Sequence, residues 1–212
     1  MKHTVFPLIS LIALPLWLAV PESARARQSP AFSGPCAVAA KIAEDAKRLP
    51  RLLLHAVSLA ESGRFDKAAQ AKTAWPWTIN AAGKGKYFRT KGEAIAEIRR
   101  LNKLGIRNID VGCMQINLIH HGKAFTTLEE ALDPVNNVAY AAVLLRSLRD
   151  TTGSWAHAVG RYHNSRWKER GQGYWRKVRR LWITERKREL RDRREARLGR
   201  GTAAYARNNS YR

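Results

Sequence analysis

Acidic residues are few in this 212-residue chain, 17 Asp and Glu against 39 Lys and Arg. The formal charge of +22 disfavours cationic partners and favours polyanions and anionic surfaces, and it says nothing about fold. Cysteine is scarcer still: Cys36 and Cys113 are the only two. An oxidising compartment lets them pair, and two buried thiols fit the sequence equally well. Neither sits in a pattern that would argue for a nucleophile. No H-E-x-x-H occurs, His120-His121 has no companion at ligand spacing, and Gly83-Lys84-Gly85-Lys86 lacks the spacing and preceding strand of a phosphate loop. No metal and no cofactor are expected. No internal repeat is present, and beyond residue 20 no apolar run is long enough to cross a bilayer.

The exception is at the start. Lys2 and His3 precede an apolar run from Val5 to Val20, followed by Ala24-Arg25-Ala26. A basic start, a short apolar stretch and a small-x-small end make a secretory signal peptide over residues 1–26, cut after Ala26. The same run left uncut would be an N-terminal anchor. Export to the periplasm or cell envelope follows. Cleavage removes two cations and one anion, so the mature charge is +21. In that compartment acidic glycans and lipids are nearer to hand than DNA, and no specific nucleic acid is expected.

The rest is 45% hydrophobic overall, with seven Trp and six Tyr, enough for a core and for amphipathic cleft walls. Periodicity predicts a helix over Ala37–Arg48, stopped near Pro50. A second follows over Leu52–Ala60, apolar nearly all round and therefore buried, with Gly63 as its stop. Trp75–Asn80 and Lys86–Arg89 flank the turn residues Ala81–Gly85 as a small hairpin. Thr90 with Glu93 forms a capping box for a helix to Leu104. Ile109–Asn117 is short extended or turning chain. Further helices are Leu128–Leu132, Val135–Asp150 behind Asp133-Pro134, Trp155–Tyr162, and Tyr174 to about Arg200. Residues 166–212 hold 17 Lys and Arg against 5 Asp and Glu. They read as a basic C-terminal helix with a disordered last dozen residues. Such a tail serves as a docking device for an anionic envelope surface or a secretion or conjugation apparatus, or is simply a solvated basic helix.

Glu61 closes the most hydrophobic helix. A carboxyl there is poorly solvated when ionised, so it holds its proton to a higher pH and becomes a proton donor. Gly112-Cys113-Met114-Gln115-Ile116-Asn117 offers a glycine for close ligand approach and two amides for sugar hydroxyls. Arg161-Tyr162-His163-Asn164 offers a phenol. Trp75, Trp77 and Tyr87 are candidates to stack on sugar rings.

Glu61-Ser62-Gly63-Arg64, Gly112–Asn117 and Ala158-Val159-Gly160-Arg161-Tyr162 resemble, in order, three signature blocks of the soluble lytic transglycosylase family. The resemblance covers about residues 36–168. It implies a mainly α fold (α+β, lysozyme-like), a helical domain with a small β-hairpin beside the active-site cleft, and a basic appendage at 169–212. It implies Glu61 as sole catalytic acid and base, with Ser62 orienting it or the substrate. Met114 and Gln115 would line the cleft, Gln115 and Asn117 would contact sugar amides or hydroxyls, and Tyr162 would hydrogen-bond near Glu61. The implied partner is peptidoglycan, met by a monomer. The implied reaction leaves a 1,6-anhydromuramoyl end. Two departures stand out. His163 follows Tyr162 where the family often has Asn, and the segment from Trp75 to Asp110 is longer than in many relatives. The rival readings are a lysozyme-like muramidase drawing on Asp66 or Asp110, and a basic envelope-binding protein without activity.

Overall fold

A computed structural model of the chain describes residues 32–164 and 167–209. The expected leader, residues 1–26, lies outside them. Helix α1 (Pro35–Lys47) starts on a proline, whose missing N–H costs nothing in a first turn, and ends at Arg48 with φ 53°. Helix α2 (Leu53–Ser62) is the buried helix that the sequence predicts: nine of its ten residues are buried, and the exception is Glu61. Leu52 leads into it with φ 63° and has no capping side chain of its own. The cap comes from α1. The buried Glu44 carboxylate accepts the backbone N–H of Leu52 at 2.8 Å, Leu54 at 2.7 Å and His55 at 3.0 Å, donors that the helix cannot satisfy internally.

Two small sheets follow, where the sequence predicts one hairpin. Strands β1 (Gly63–Asp66) and β2 (Ala71–Ala74) pair antiparallel. The Asp66 carboxylate accepts Ala68 and Ala69 N–H to shape their turn. The second sheet has strand order β4-β3-β5-β6. Its strands are β3 (Thr78–Ala81), β4 (Lys84–Tyr87), β5 (Ile109–Val111) and β6 (Ile116–Asn117). The β3–β4 hairpin turns on Ala82 and Gly83, both at positive φ (51° and 76°), the two-residue geometry whose twist matches a hairpin. Trp75, Pro76 and Trp77 precede β3 rather than joining it.

Helix α3 (Lys91–Lys103) carries the predicted Thr90/Glu93 capping box. It packs with α4 (Leu128–Ala131) on the larger sheet, around Ile79, Ile95, Ile98, Ile109 and Leu132. Helices α5 (Pro134–Thr152, capped by Asp133) and α6 (Trp155–His163, capped by Ser154) close with α1 and α2 on the main core. A π-helical turn, Trp167–Gly171, leads into α7 (Gln172–Asn209). This last helix runs past Arg200 to Asn209, through residues where the sequence reading places disorder. It is not simply appended either: Tyr174 and Val178 belong to the main core, so its first turns fold with the domain drawn as residues 36–168. Buried His55 on α2 faces buried Glu185 on α7 at 3.8 Å, and Arg188 holds that carboxylate.

A disulfide joins Cys36, at the start of α1, to Cys113 between β5 and β6, across 77 residues of sequence. Closing a loop of that length is worth about 4 kcal/mol in chain entropy. Truncating Glu44 to Ala strands three buried donors. We expect a loss of roughly 3 kcal/mol in denaturant unfolding, and a smaller loss for Glu44→Gln, which keeps an acceptor.

Candidate active site

Glu61 stands at the C-terminal end of α2, on the floor of a cleft of about 520 Å³. The β3–β4 hairpin overhangs one wall with Gly83, Gly85 and Tyr87, and Asp110, Gln115, Asn117, Tyr162 and His163 complete the lining. Burial raises the Glu61 carboxyl from its ordinary 4.5 to about 7. A hydrogen bond from Tyr174 Oη and the charge of Lys177 pull it back down, and the charge of Asp110 adds to the rise. Near neutral pH this group can both give and take a proton. Tyr174 donates to Glu61 Oε1. Its own phenol is pushed well above 10, first by burial and then by the carboxylate, so it remains a donor.

Each predicted site residue falls close to Glu61, but most act through the backbone. Ser62 is fully buried and gives its hydroxyl to Cys113 O at 2.8 Å and Ser58 O at 3.3 Å. It ties the end of α2 to the Gly112–Asn117 turn and leaves Glu61 untouched. Met114 is fully buried in the main core rather than on the cleft wall. Its carbonyl accepts Tyr162 Oη at 2.8 Å, which is where the Tyr162 hydroxyl goes. Gln115, at φ 49°, lines the cleft, yet its amide N–H groups donate to Thr78 O and Gly112 O. Asn117 lines it too. Its Nδ2 serves Asn108 and Asp110, and its Oδ1 accepts Ile119 and His120 N–H.

Gly112 is needed for a close approach, though the partner is Asn137. With φ 83°, a Cβ at Gly112 would lie 2.4 Å from Asn137 Nδ2. Buried Asn137 accepts Met114 N–H and donates to Val111 O and Ala131 O. Gly63 stops α2 in extended backbone (φ −72°) rather than as a left-handed cap, and it must be glycine because a Cβ there would meet Leu59 O at 2.2 Å. Of the aromatic candidates, Trp75 lies under the Arg64 guanidinium, 3.6 Å from its centroid. Trp77 packs on the second core, and Tyr87 remains on the cleft. Sequence reasoning missed Tyr174, Lys177 and Asn137. The first two lie in the segment treated as a tail, and Asn137 is an unremarkable polar residue inside a predicted helix. His163 stacks on Tyr174 with centroids 4.4 Å apart and planes 7° apart. Burial, then Lys177, lowers its pKa. Among the described residues no cluster could hold a metal ion.

A buried carboxyl at a helix end faces an amide-lined groove in a helical domain with a small sheet. The chain belongs to the transglycosylase SLT domain family, whose model matches residues 39–177. Members of that family are transglycosylases that act on peptidoglycan. Comparison with curated proteins gives no match, and comparison with solved structures gives none either. No helix among the described residues is long and apolar enough to cross a membrane.

Two substitutions should move the alkaline limb of the pH–rate profile in opposite directions, each by about one pH unit. Tyr174→Phe removes a bond to the charged form, so the limb climbs above 7. Asp110→Asn removes a repelling charge, so it falls. A carboxyl raised from 4.5 to about 7 by folding lends stability that is complete below 4.5 and is lost as pH rises through 7. Glu61→Gln escapes this loss. It should be the more stable protein at pH 8, by at most about 3 kcal/mol in denaturant unfolding.

Proposed function

We propose that this chain is a peptidoglycan lytic transglycosylase that cleaves the β-1,4 bond between N-acetylmuramic acid and N-acetylglucosamine with Glu61 as its only acid and base. The observation that carries the reading is the Glu61 carboxyl held protonated to about 7 beneath a groove of amides. In the first step Glu61 gives its proton to the glycosidic oxygen, and the bond from that oxygen to muramoyl C1 breaks. The N-acetylglucosamine side leaves with a hydroxyl, and an oxocarbenium-like centre remains at C1. Tyr174 donates to the carboxylate just formed. In the second step that carboxylate takes the proton of the muramoyl C6 hydroxyl as O6 bonds to C1. The 1,6-anhydro ring closes, Glu61 is protonated again, and no water is consumed. One carboxyl suffices because it does both jobs in turn, whereas glycosidases of the usual kind divide them between two.

Asp110 is the other carboxylate on the cleft wall. Its two oxygens accept the amides of Asn80 at 3.3 Å and Asn117 at 2.7 Å. That clamp suits a fixed charge opposite Glu61 better than a base that must move a water. A muramidase would nonetheless use the same groove, and product mass separates the two. Fragments released from purified sacculi should be lighter by one water than the hydrolytic ones. Glu61→Gln should lower the rate of sacculus clearing at least 10³-fold while the fold persists. Hydrolytic mass, or substantial clearing by this variant, refutes the assignment. On this reading the enzyme works in the cell envelope, to which the leader at 1–26 would deliver it.

A further inference from the structure

Beside the cleft, at the end of α2, stand cations that the two proton transfers do not use. Lys177 on α7 extends its ammonium to Ala60 O at 2.7 Å, one residue before Glu61. Lys72 on β2 lies against the same bend. A Cβ on Gly63 would come within 2.4 Å of Lys72 Cε, so the bare glycine is what admits the lysine stem. One lysine thus touches the backbone at Ala60 and the other lies against it at Gly63, the residues either side of Glu61-Ser62. Arg64 continues the basic edge from its place over the Trp75 ring.

None of these three cations forms an ion pair with a carboxylate among the described residues. The carboxyl that feels Lys177 is Glu61, and its task requires a proton. Partial burial and the charge of Lys177 both push the Lys72 ammonium below its ordinary value. Lys72, partly stripped of water beside a like charge, is held at a cost, and an anion supplied from outside relieves both parts of it. The sugar backbone of peptidoglycan offers only neutral hydroxyls and acetamides there. The carboxylates sit on the peptides linked to the muramoyl lactyl group.

We propose that Lys72 and Lys177, edged by Arg64, form an anion subsite for a carboxylate of the stem peptide on the muramoyl residue being cleaved. The subsite rests on the transglycosylase reading of Glu61. It makes the enzyme select strands that still carry acidic peptides over strands whose charge has been removed or whose peptides have been trimmed away.

The test compares the full chain on three substrates: native sacculi, sacculi whose stem carboxylates have been chemically amidated, and glycan strands stripped of peptide. We expect kcat/KM for the native strand to exceed that for the amidated strand about tenfold, the size of one charge-assisted contact. Lys72→Gln should collapse this preference towards one, and Lys72→Arg should retain most of it. Binding of the same strands to the Glu61→Gln protein, read by calorimetry, should show the same ranking without turnover. A wild type indifferent to amidation, or a preference that survives Lys72→Gln, overturns the subsite. Stripped strands that are as good as native ones and as sensitive to Lys72 would place the anion on the lactyl group instead, and would overturn the peptide assignment. Failure of the wild type to release any anhydro product sinks the parent reading. Clean release with no dependence on Lys72 sinks the subsite alone.

Discussion

One carboxyl, Glu61, is buried by its own helix and yet faces an open cleft, and the surrounding elements are arranged about that burial. Water must be withheld from Glu61 on one side and admitted to the groove on the other. Helix α2 meets the first condition by burying all nine of its other residues. The elements around it then set how far the proton is held. Asp110 across the cleft pushes the carboxyl up, and Tyr174 and Lys177 from α7 pull it down. The outcome near 7 is a compromise between burial and these neighbours. In the proposed mechanism, a group that gives a proton and then recovers one gains nothing from a stronger push in either direction.

The turn from Gly112 to Asn117 shows how such a site is kept in place. Its amide and hydroxyl neighbours look like ligand-binding groups, yet Ser62, Asn137, Tyr162 and Gln115 spend their hydrogen bonds on turn backbone. Short strands cannot satisfy all their own peptide groups, and side chains from three helices supply the deficit. The disulfide to α1 fixes the same turn covalently. The faces that remain to the cleft are the outer side of Gln115, the Asn117–Asp110 pair, and Tyr87 on the hairpin.

Much of this was legible in the amino-acid order. The helices from α1 to α6 follow their apolar spacing and capping residues closely, and Thr90 with Glu93 forms the reciprocal cap that its pattern predicts. Glu61 announces itself by ending an otherwise apolar run. What stayed hidden depends on contacts across the chain. The β1–β2 pair is short, polar and shallow, so no alternation marks it. Leu52 reaches positive φ because Glu44, eight residues earlier, reaches over to cap it. Tyr174 lies 113 residues from the carboxyl that it holds, in a stretch whose dense charge masks the few apolar positions that anchor it. Gly63 and Gly112 were recognisable as special, but the groups they make room for, Lys72 and Asn137, became visible only in three dimensions.

Helix α7 joins two roles that a domain boundary would separate. It is one unbroken element of 38 residues, about 57 Å long at the usual rise. Its first turns set the Tyr174 phenol on the Glu61 carboxyl and the Lys177 ammonium on Ala60 O, and from Leu190 to Arg200 nearly every side chain faces solvent. A stiff rod embedded at one end and solvent-exposed along the stretch beyond it behaves as a lever. On the proposed reading, a partner that gripped its outer arm would act on the pose of Tyr174, and so on the proton that Glu61 holds.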